Sequence, residues 1–258
     1  MSTLLDGPLL DKAIFLSSNN MNSKNYPFSL PLIQNLREIR FSSQVTFFVG
    51  ENGSGKSTLL EAIAYKAGYG AEGGSKNINF KTSEENAYRG TEALAEQLTL
   101  SWRRKPKDGY FFRAESFYNV ANYIDYLAKE CSGNYQAYGG VSLHHQSHGE
   151  SFLSFFANRM GRDGFFILDE PEAALSPQRQ LSLLLIIEEL SRYSNAQFII
   201  ATHSPILLAY PHATIYSCDS QELRKIDYKE TDHYQITKRF LDDPDYYLRI
   251  LFSTSERE

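Results

Sequence analysis

Cysteine is nearly absent from the 258 residues: Cys131 and Cys218 stand 87 positions apart with no local partner, so no disulfide framework holds this chain together. That usage suits a reducing compartment, and a cytoplasmic location is the expectation. Long apolar runs are missing too. The longest, residues 183–187, is far too short to cross a bilayer, and no membrane insertion is expected. Residues 1–16 carry Asp6, Asp11 and only Lys12, the wrong charge pattern for a secretory signal. Positive charge is in deficit: 26 Lys and Arg against 31 Asp and Glu give a net charge of -5. The surface as a whole therefore does not attract nucleic acid or an anionic membrane, although a local basic patch is compatible with that balance. There is no internal repeat and no heptad run, which removes solenoid and coiled-coil architectures. What remains is 42% hydrophobic and 22% charged, ordinary for a globular protein, and long enough for one large α/β domain with a helical insert.

The most informative segment is Gly50-Glu51-Asn52-Gly53-Ser54-Gly55-Lys56-Ser57-Thr58, which fits G-x-x-x-x-G-K-[ST] at every fixed position. A β-branched and aromatic run (44–49) precedes it and good helix formers (59–64) follow, the strand–loop–helix setting the motif needs. The glycines let successive N–H groups curl inward, where they and the helix dipole meet phosphates. Lys56 adds a charge for the outer phosphates, and the Ser57 hydroxyl is placed for Mg2+. The competing reading is a glycine-rich turn that happens to end in Lys-Ser.

Along the rest of the chain, residues 1–30 read as an irregular lead-in, 33–49 as one or two strands, and 66–89 as a loop. Two strands, 97–103 and 110–113, are separated by Lys105-Pro106-Lys107-Asp108-Gly109, a connection of hairpin type. Residues 117–129 and 150–160 have helical character, with loop between. Strand 165–168, helix 177–193, strand 196–201, a short helix after Pro205 and strand 213–218 then alternate, which argues for a mainly parallel sheet. In the 177–193 helix, Leu181, Leu184, Leu185 and Ile187 are expected to face the core.

The strand at 165–168 delivers Asp169 and Glu170 at its C-terminal tip, the end where ligands bind in such sheets. Asp169 is the candidate for the Mg2+ shell and Glu170 for polarising the attacking water; an exposed Asp-Glu turn is the plainer alternative. The 196–201 strand runs into His203, and it should lie beside the carboxylate strand, so His203 could hydrogen-bond a γ-phosphate. Gln146-Ser147-His148-Gly149-Glu150 opens a helix, where Ser147 and Gly149 would free backbone N–H groups for a second anion site; an ordinary helix start explains the same residues.

Phosphate loop, Ser147 segment, carboxylate strand and His203, in that order from Val45 to Ser204, resemble an ATP-binding cassette (ABC) ATPase head. The resemblance implies a P-loop NTPase fold of ABC type, α/β, with a mainly parallel sheet flanked by helices, an antiparallel edge and a small helical subdomain over about 114–160. It implies a single domain over 1–258, with ATP and Mg2+ as ligands. Ser147 to Glu150 would match the signature segment, binding the γ-phosphate held by an opposite subunit. Residues 174–177 would match the D-loop, and His203 the switch histidine. Glu115, in Arg113-Ala114-Glu115-Ser116, stands where a Gln contacting Mg2+ is usual, adding a carboxylate beside the metal. The signature wording and Ser176, in the place of the D-loop Asp, depart from the family pattern, which bears on subunit coupling.

Ser147 follows Lys56 by 91 residues, room for a small subdomain and none for a long coiled-coil arm. The compact form resembles soluble RecF-like and SMC-like stand-alone heads labelled AAA-family ATPases. Expected partners are ATP and a second copy of the chain in an ATP-dependent homodimer. DNA or a protein partner is an alternative, through Trp102-Arg103-Arg104-Lys105-Pro106-Lys107, as is a membrane transporter served as its ATP-binding subunit. The patch also reads as a solvated hairpin tip. His144, His145 and His148 cluster without an accompanying Cys or paired acid, which favours an exposed loop over a metal site. The tail after Tyr234 has helical spacing, suited to capping the domain or touching a partner.

Overall fold

The computed structural model describes residues 7–16, 25–70, 73–75, 89–114 and 148–254. Its centre is a six-stranded sheet in the order β5-β6-β7-β3-β8-β9, built from β3 (Val45–Val49), β5 (Asp108–Arg113), β6 (Gly164–Asp169), β7 (Gln197–Ala201), β8 (Thr214–Ser217) and β9 (Arg224–Ile226). All pairs are parallel except the antiparallel β8–β9 edge. A second, antiparallel sheet, in the order β2-β1-β4, joins β1 (Leu10–Phe15), β2 (Glu38–Arg40) and β4 (Leu98–Trp102).

The central strands read as continuous apolar runs because both faces are covered. Phe165 and Ile167 of β6 point to one buried cluster, which holds helix α2 (Lys56–Ala67) and the antiparallel sheet. Phe166 and Leu168 point to the opposite cluster. Three helices line that second face: α4 (His148–Arg159), α5 (Pro177–Tyr193) and α6 (Pro205–Leu208). Phe152, Phe155 and Phe156 of α4 pack on Tyr110 and Phe112 of β5, with ring centroids 4.5–5.2 Å apart for Phe112–Phe152, Tyr110–Phe155 and Phe112–Phe156. Short helices α1 (Pro31–Asn35) and α3 (Arg89–Glu96) sit on the first face. Helices α7 (Asp232–Asp242) and α8 (Pro244–Thr254) form the tail.

Several expectations are corrected. The lead-in contains β1, and 33–49 begins with α1 before β2 and β3. The strands on either side of Lys105-Pro106-Lys107 form no hairpin: β4 pairs with β1 in one sheet and β5 with β6 in the other. Gly109 shows why β5 goes there. A Cβ at this position would lie 2.3 Å from the Phe165 carbonyl and 1.9 Å from the Tyr69 hydroxyl, so only glycine admits the close approach of β5 to β6. The buried face of α5 is also rotated from the expected one. Gln180, Leu183 and Ile187 face inward, whereas Leu181 and Leu185 are 54% and 72% exposed. Gln180 sets that phase, because its amide donates to the Leu175 carbonyl (3.1 Å) and accepts from the Ser204 hydroxyl (2.5 Å). The expected helix at 117–129 and loop at 133–149 lie almost wholly outside the described residues.

The two sheets are stitched by one buried amide. Gln197 Oε1 accepts from the Leu10 N–H at 2.7 Å and Nε2 donates to the Leu10 carbonyl at 3.3 Å, across an irregularity in the β1–β4 register that frees those groups. Gln197→Leu would strand a buried donor and a buried acceptor at roughly 1–3 kcal/mol each. A loss of roughly 2–6 kcal/mol in urea unfolding is the expected result, and an unchanged midpoint would show that the stitch contributes nothing.

Candidate functional site

Because the five strands β5, β6, β7, β3 and β8 are parallel, their C-terminal ends share one edge, and the candidate residues gather there. The loop leaving β3 turns on Gly50, Gly53 and Gly55, whose φ values of 149°, 82° and 99° lie in the region that favours glycine. At Gly50 a Cβ would come within 2.8 Å of Asp219 Oδ1 and 3.0 Å of Ser54 Oγ. Glu51, Asn52 and Ser54 complete the loop, and Gly55 caps α2, so Lys56, Ser57 and Thr58 form its first turn. Lys56 is 4% exposed, and its Nζ donates to the Gly50 (2.6 Å) and Glu51 (3.0 Å) carbonyls. No carboxylate pairs with it among the described residues.

Across the cleft, Ser57 Oγ donates to Asp169 Oδ1 at 3.1 Å. Asp169 is the last residue of β6, in register with Arg113 at the end of β5, whose Nε lies 3.8 Å from Asp169 Oδ2. Arg113 also pairs with Glu61 of α2 at 2.9 Å. Burial pushes the Asp169 carboxyl up to about 7, opposed by the Arg113 charge and the Ser57 hydrogen bond and reinforced by Glu170 and Glu61. Glu170 adopts a left-handed conformation (φ 50°, ψ 53°), held by its N–H on the Ala201 carbonyl at 2.9 Å. That places its side chain at the mouth, 42% exposed.

Strand β7 lies between β6 and β3 and feeds His203 into the same edge. The His203 N–H donates to Glu172 Oε1 at 2.6 Å, and His203 Nε2 lies 3.4 Å from Glu170 Oε1 without forming a hydrogen bond. Burial raises the Glu172 carboxyl, offset by that backbone hydrogen bond. A cleft of about 660 Å3 is lined by Ser57, Arg113, Ala114, Asp169, Glu170, Ala173 and Ala174. A second, of about 200 Å3, lies against Tyr26, Leu30 and the phosphate loop and shares Ser57 and Glu170 with the first. Gly149 is in the first turn of α4. Ser147 and Glu115 lie outside the described residues, as do His144 and His145.

The donor set suits a phosphate-bound divalent cation. A half-buried hydroxyl and a carboxylate that burial holds back from ionising stand together, and an added cation would restore the ionised form. Among the described residues the buried Ser54 Oγ and His203 Nε2 have no hydrogen-bond partner, both at the rim of the cradle. Five residues at this edge escaped sequence reasoning: Tyr26, whose hydroxyl meets Thr58 Oγ1 at 2.6 Å; Arg113; Glu172; Asp219, whose Oδ1 accepts from the Glu51 N–H at 2.5 Å; and His233. For Asp219 a weaker signal existed: an acid two residues beyond the strand Thr214–Ser217. The other four depend on contacts between distant segments.

The basic patch fares poorly as a nucleic-acid grip. Arg103 pairs with Asp11, Arg104 and Lys107 pair with Asp163, and the Trp102 ring packs edge-on against Phe165 with centroids 5.0 Å apart. Among the described residues no helix is long and apolar enough to cross a membrane.

Strand order, phosphate loop and the acids at the strand tips define a P-loop ATPase head of ABC type. The chain belongs to the AAA domain family, whose model matches residues 27–239. Among solved structures, it is similar to an SMC head domain from Thermotoga maritima, with 16% identity, 85% of this chain and 98% of that one covered, and a TM-score of 0.43. CbiO1 from Clostridium perfringens, part of the ABC transporter complex CbiONQ, gives 19%, 93%, 97% and 0.48 in the same order. An SMC head bound to the C-terminal winged-helix domain of ScpA gives 15%, 85%, 98% and 0.44. No curated protein matches the chain.

Proposed function

We propose that this chain is a Mg2+-dependent ATP hydrolase whose two copies close face to face over two nucleotides. The observation that carries this reading is the meeting of the phosphate loop with the β6 carboxylates, Ser57 Oγ on Asp169 Oδ1 at 3.1 Å. In this reading the loop N–H groups and Lys56 hold the β- and γ-phosphates, with Lys56 exchanging its two carbonyl partners for phosphate oxygens. Ser57 and Asp169 would hold the metal, with Glu115 a further candidate, and a cation bound there would neutralise phosphate charge. Glu170 accepts a proton from the attacking water, and its position at the cleft mouth leaves room for that water. His203 Nε2 donates to the terminal phosphate, which suits a buried nitrogen that has no hydrogen-bond partner among the described residues.

The second copy supplies Ser147 and Gly149 to the nucleotide across the interface, completing each site. The helical subdomain over about 114–160 would carry them within a single domain spanning 1–258, and a cytoplasmic setting fits the cysteine usage. Binding ATP in both sites favours closure and hydrolysis releases it. Steady-state hydrolysis measured across protein concentrations should rise faster than linearly. A strictly linear dependence, with the chain monomeric in ATP, would sink the shared-site reading. The ion-paired state of Arg103, Arg104 and Lys107 argues against a nucleotide-gated DNA module using that patch.

A further inference from the structure

His233 lies in the tail, 30 residues after His203, yet its Nε2 is 2.8 Å from His203 Nδ1, with the ring centroids 5.0 Å apart. The placement is built. Asp227 and Glu230 form a reciprocal capping box around the turn at Tyr228–Glu230. Thr231, 1% exposed, then accepts from the Tyr234 N–H to start α7, so His233 sits in that helix's first turn. The Tyr228 hydroxyl donates to the Pro205 carbonyl at 3.0 Å, tying the turn to the segment that follows His203. Tyr228 and Tyr234 pack against each other with centroids 4.7 Å apart.

Two imidazole nitrogens at this distance share one proton, so the protonation of one ring dictates that of the other. If His203 Nε2 carries the hydrogen toward Glu170 and the nucleotide, His203 Nδ1 has only a lone pair and His233 must donate. We propose, resting on the reading of His203 as donor to the terminal phosphate, that His233 is a positioning residue. Its Nε2–H donates to His203 Nδ1, holds that ring in place and fixes the tautomer in which Nε2 bears the proton. The surroundings agree. Burial, then the neighbouring His203, lowers the His233 pKa, with Lys56 adding to the shift and Asp219 and Glu51 opposing it, which favours a neutral ring able to act as a donor. One acid and two histidines thus stand in line, Glu170, His203 and His233, with a hydrogen bond between the two rings.

The test uses the full chain with saturating ATP and magnesium. His233→Phe keeps a ring but removes the donor, and hydrolysis should fall about tenfold in kcat with the KM for ATP changed by less than about twofold. His233→Gln, which can present an amide N–H at a similar reach, should recover to within about threefold of the parent rate. In a His203→Ala background, His233→Phe should have no further effect. Nitrogen-15 NMR of the histidine rings in the unsubstituted protein should find the His203 proton on Nε2. A proton on Nδ1 overturns the proposal, as does a His233→Phe enzyme at full rate or a folded His233→Gln enzyme as slow as the Phe variant. If His233→Phe does not fold, the NMR result and the Gln variant decide. Should His203→Ala itself hydrolyse at the parent rate, the reading of His203 fails. Should His203→Ala be slow and His233→Phe fast, only the positioning role fails.

Discussion

Lys56→Ala should lower ATP affinity by on the order of 100-fold or more, because it removes at least two charge-assisted hydrogen bonds of roughly 1.5–3 kcal/mol each from the outer phosphates. The cause lies in how the side chain is held. Lys56 is 4% exposed and, among the described residues, satisfied only by the carbonyls of Gly50 and Glu51, neutral acceptors that phosphate oxygens outcompete. The same change removes a buried charge with no paired carboxylate among the described residues, so the nucleotide-free fold should keep its thermal midpoint. Calorimetric titration with ATP and magnesium, alongside a thermal melt, separates the two effects. Affinity within about threefold of the parent protein would remove the phosphate loop from the site.

Glu170→Gln should reduce turnover by about 100-fold or more while leaving ATP bound. The amide keeps the size of the side chain but cannot take a proton from water at neutral pH. Its backbone should tolerate the change, since the left-handed conformation at φ 50° is fixed by the N–H on the Ala201 carbonyl and by the turn at Pro171–Ala174. With hydrolysis stopped and binding intact, the closed pair of chains should accumulate. Single-turnover hydrolysis and size-exclusion chromatography in ATP read the two outcomes. A variant that turns over at the parent rate would show that another group activates the water, and Glu172 or His203 would be next to test. Glu172 is the weaker alternative, because one of its oxygens is committed to the His203 N–H.

Much of the site was legible because its pieces are local. A glycine-rich loop between strand and helix, two acids after four apolar residues, and a histidine after another apolar strand each declare themselves within about ten residues. Helix 177–193 was likewise bounded by Pro177 at its start and the turn residues after Tyr193. The errors have one origin. Lys105-Pro106-Lys107-Asp108-Gly109 has hairpin chemistry, but the strands it joins belong to different sheets: Asp11 holds Arg103 and Asp163 holds Arg104 and Lys107 on the way across, and Gly109 admits close approach to Phe165. Leu181 and Leu185 fit an inward stripe, but the hydrogen bonds of Gln180 rotate α5 so that they face outward.

By itself, then, the sequence determined which candidate groups stand at the strand ends and in what chain order, because those signals are short-range patterns of backbone freedom and burial. Only the tertiary structure decided which distant residues join them: Arg113 beside Asp169, Asp219 against the phosphate loop, Glu172 on the His203 backbone and His233 on its ring. Those contacts depend on strand order and on the docking of the tail. Both are set by the packing of whole faces, and no local pattern encodes them.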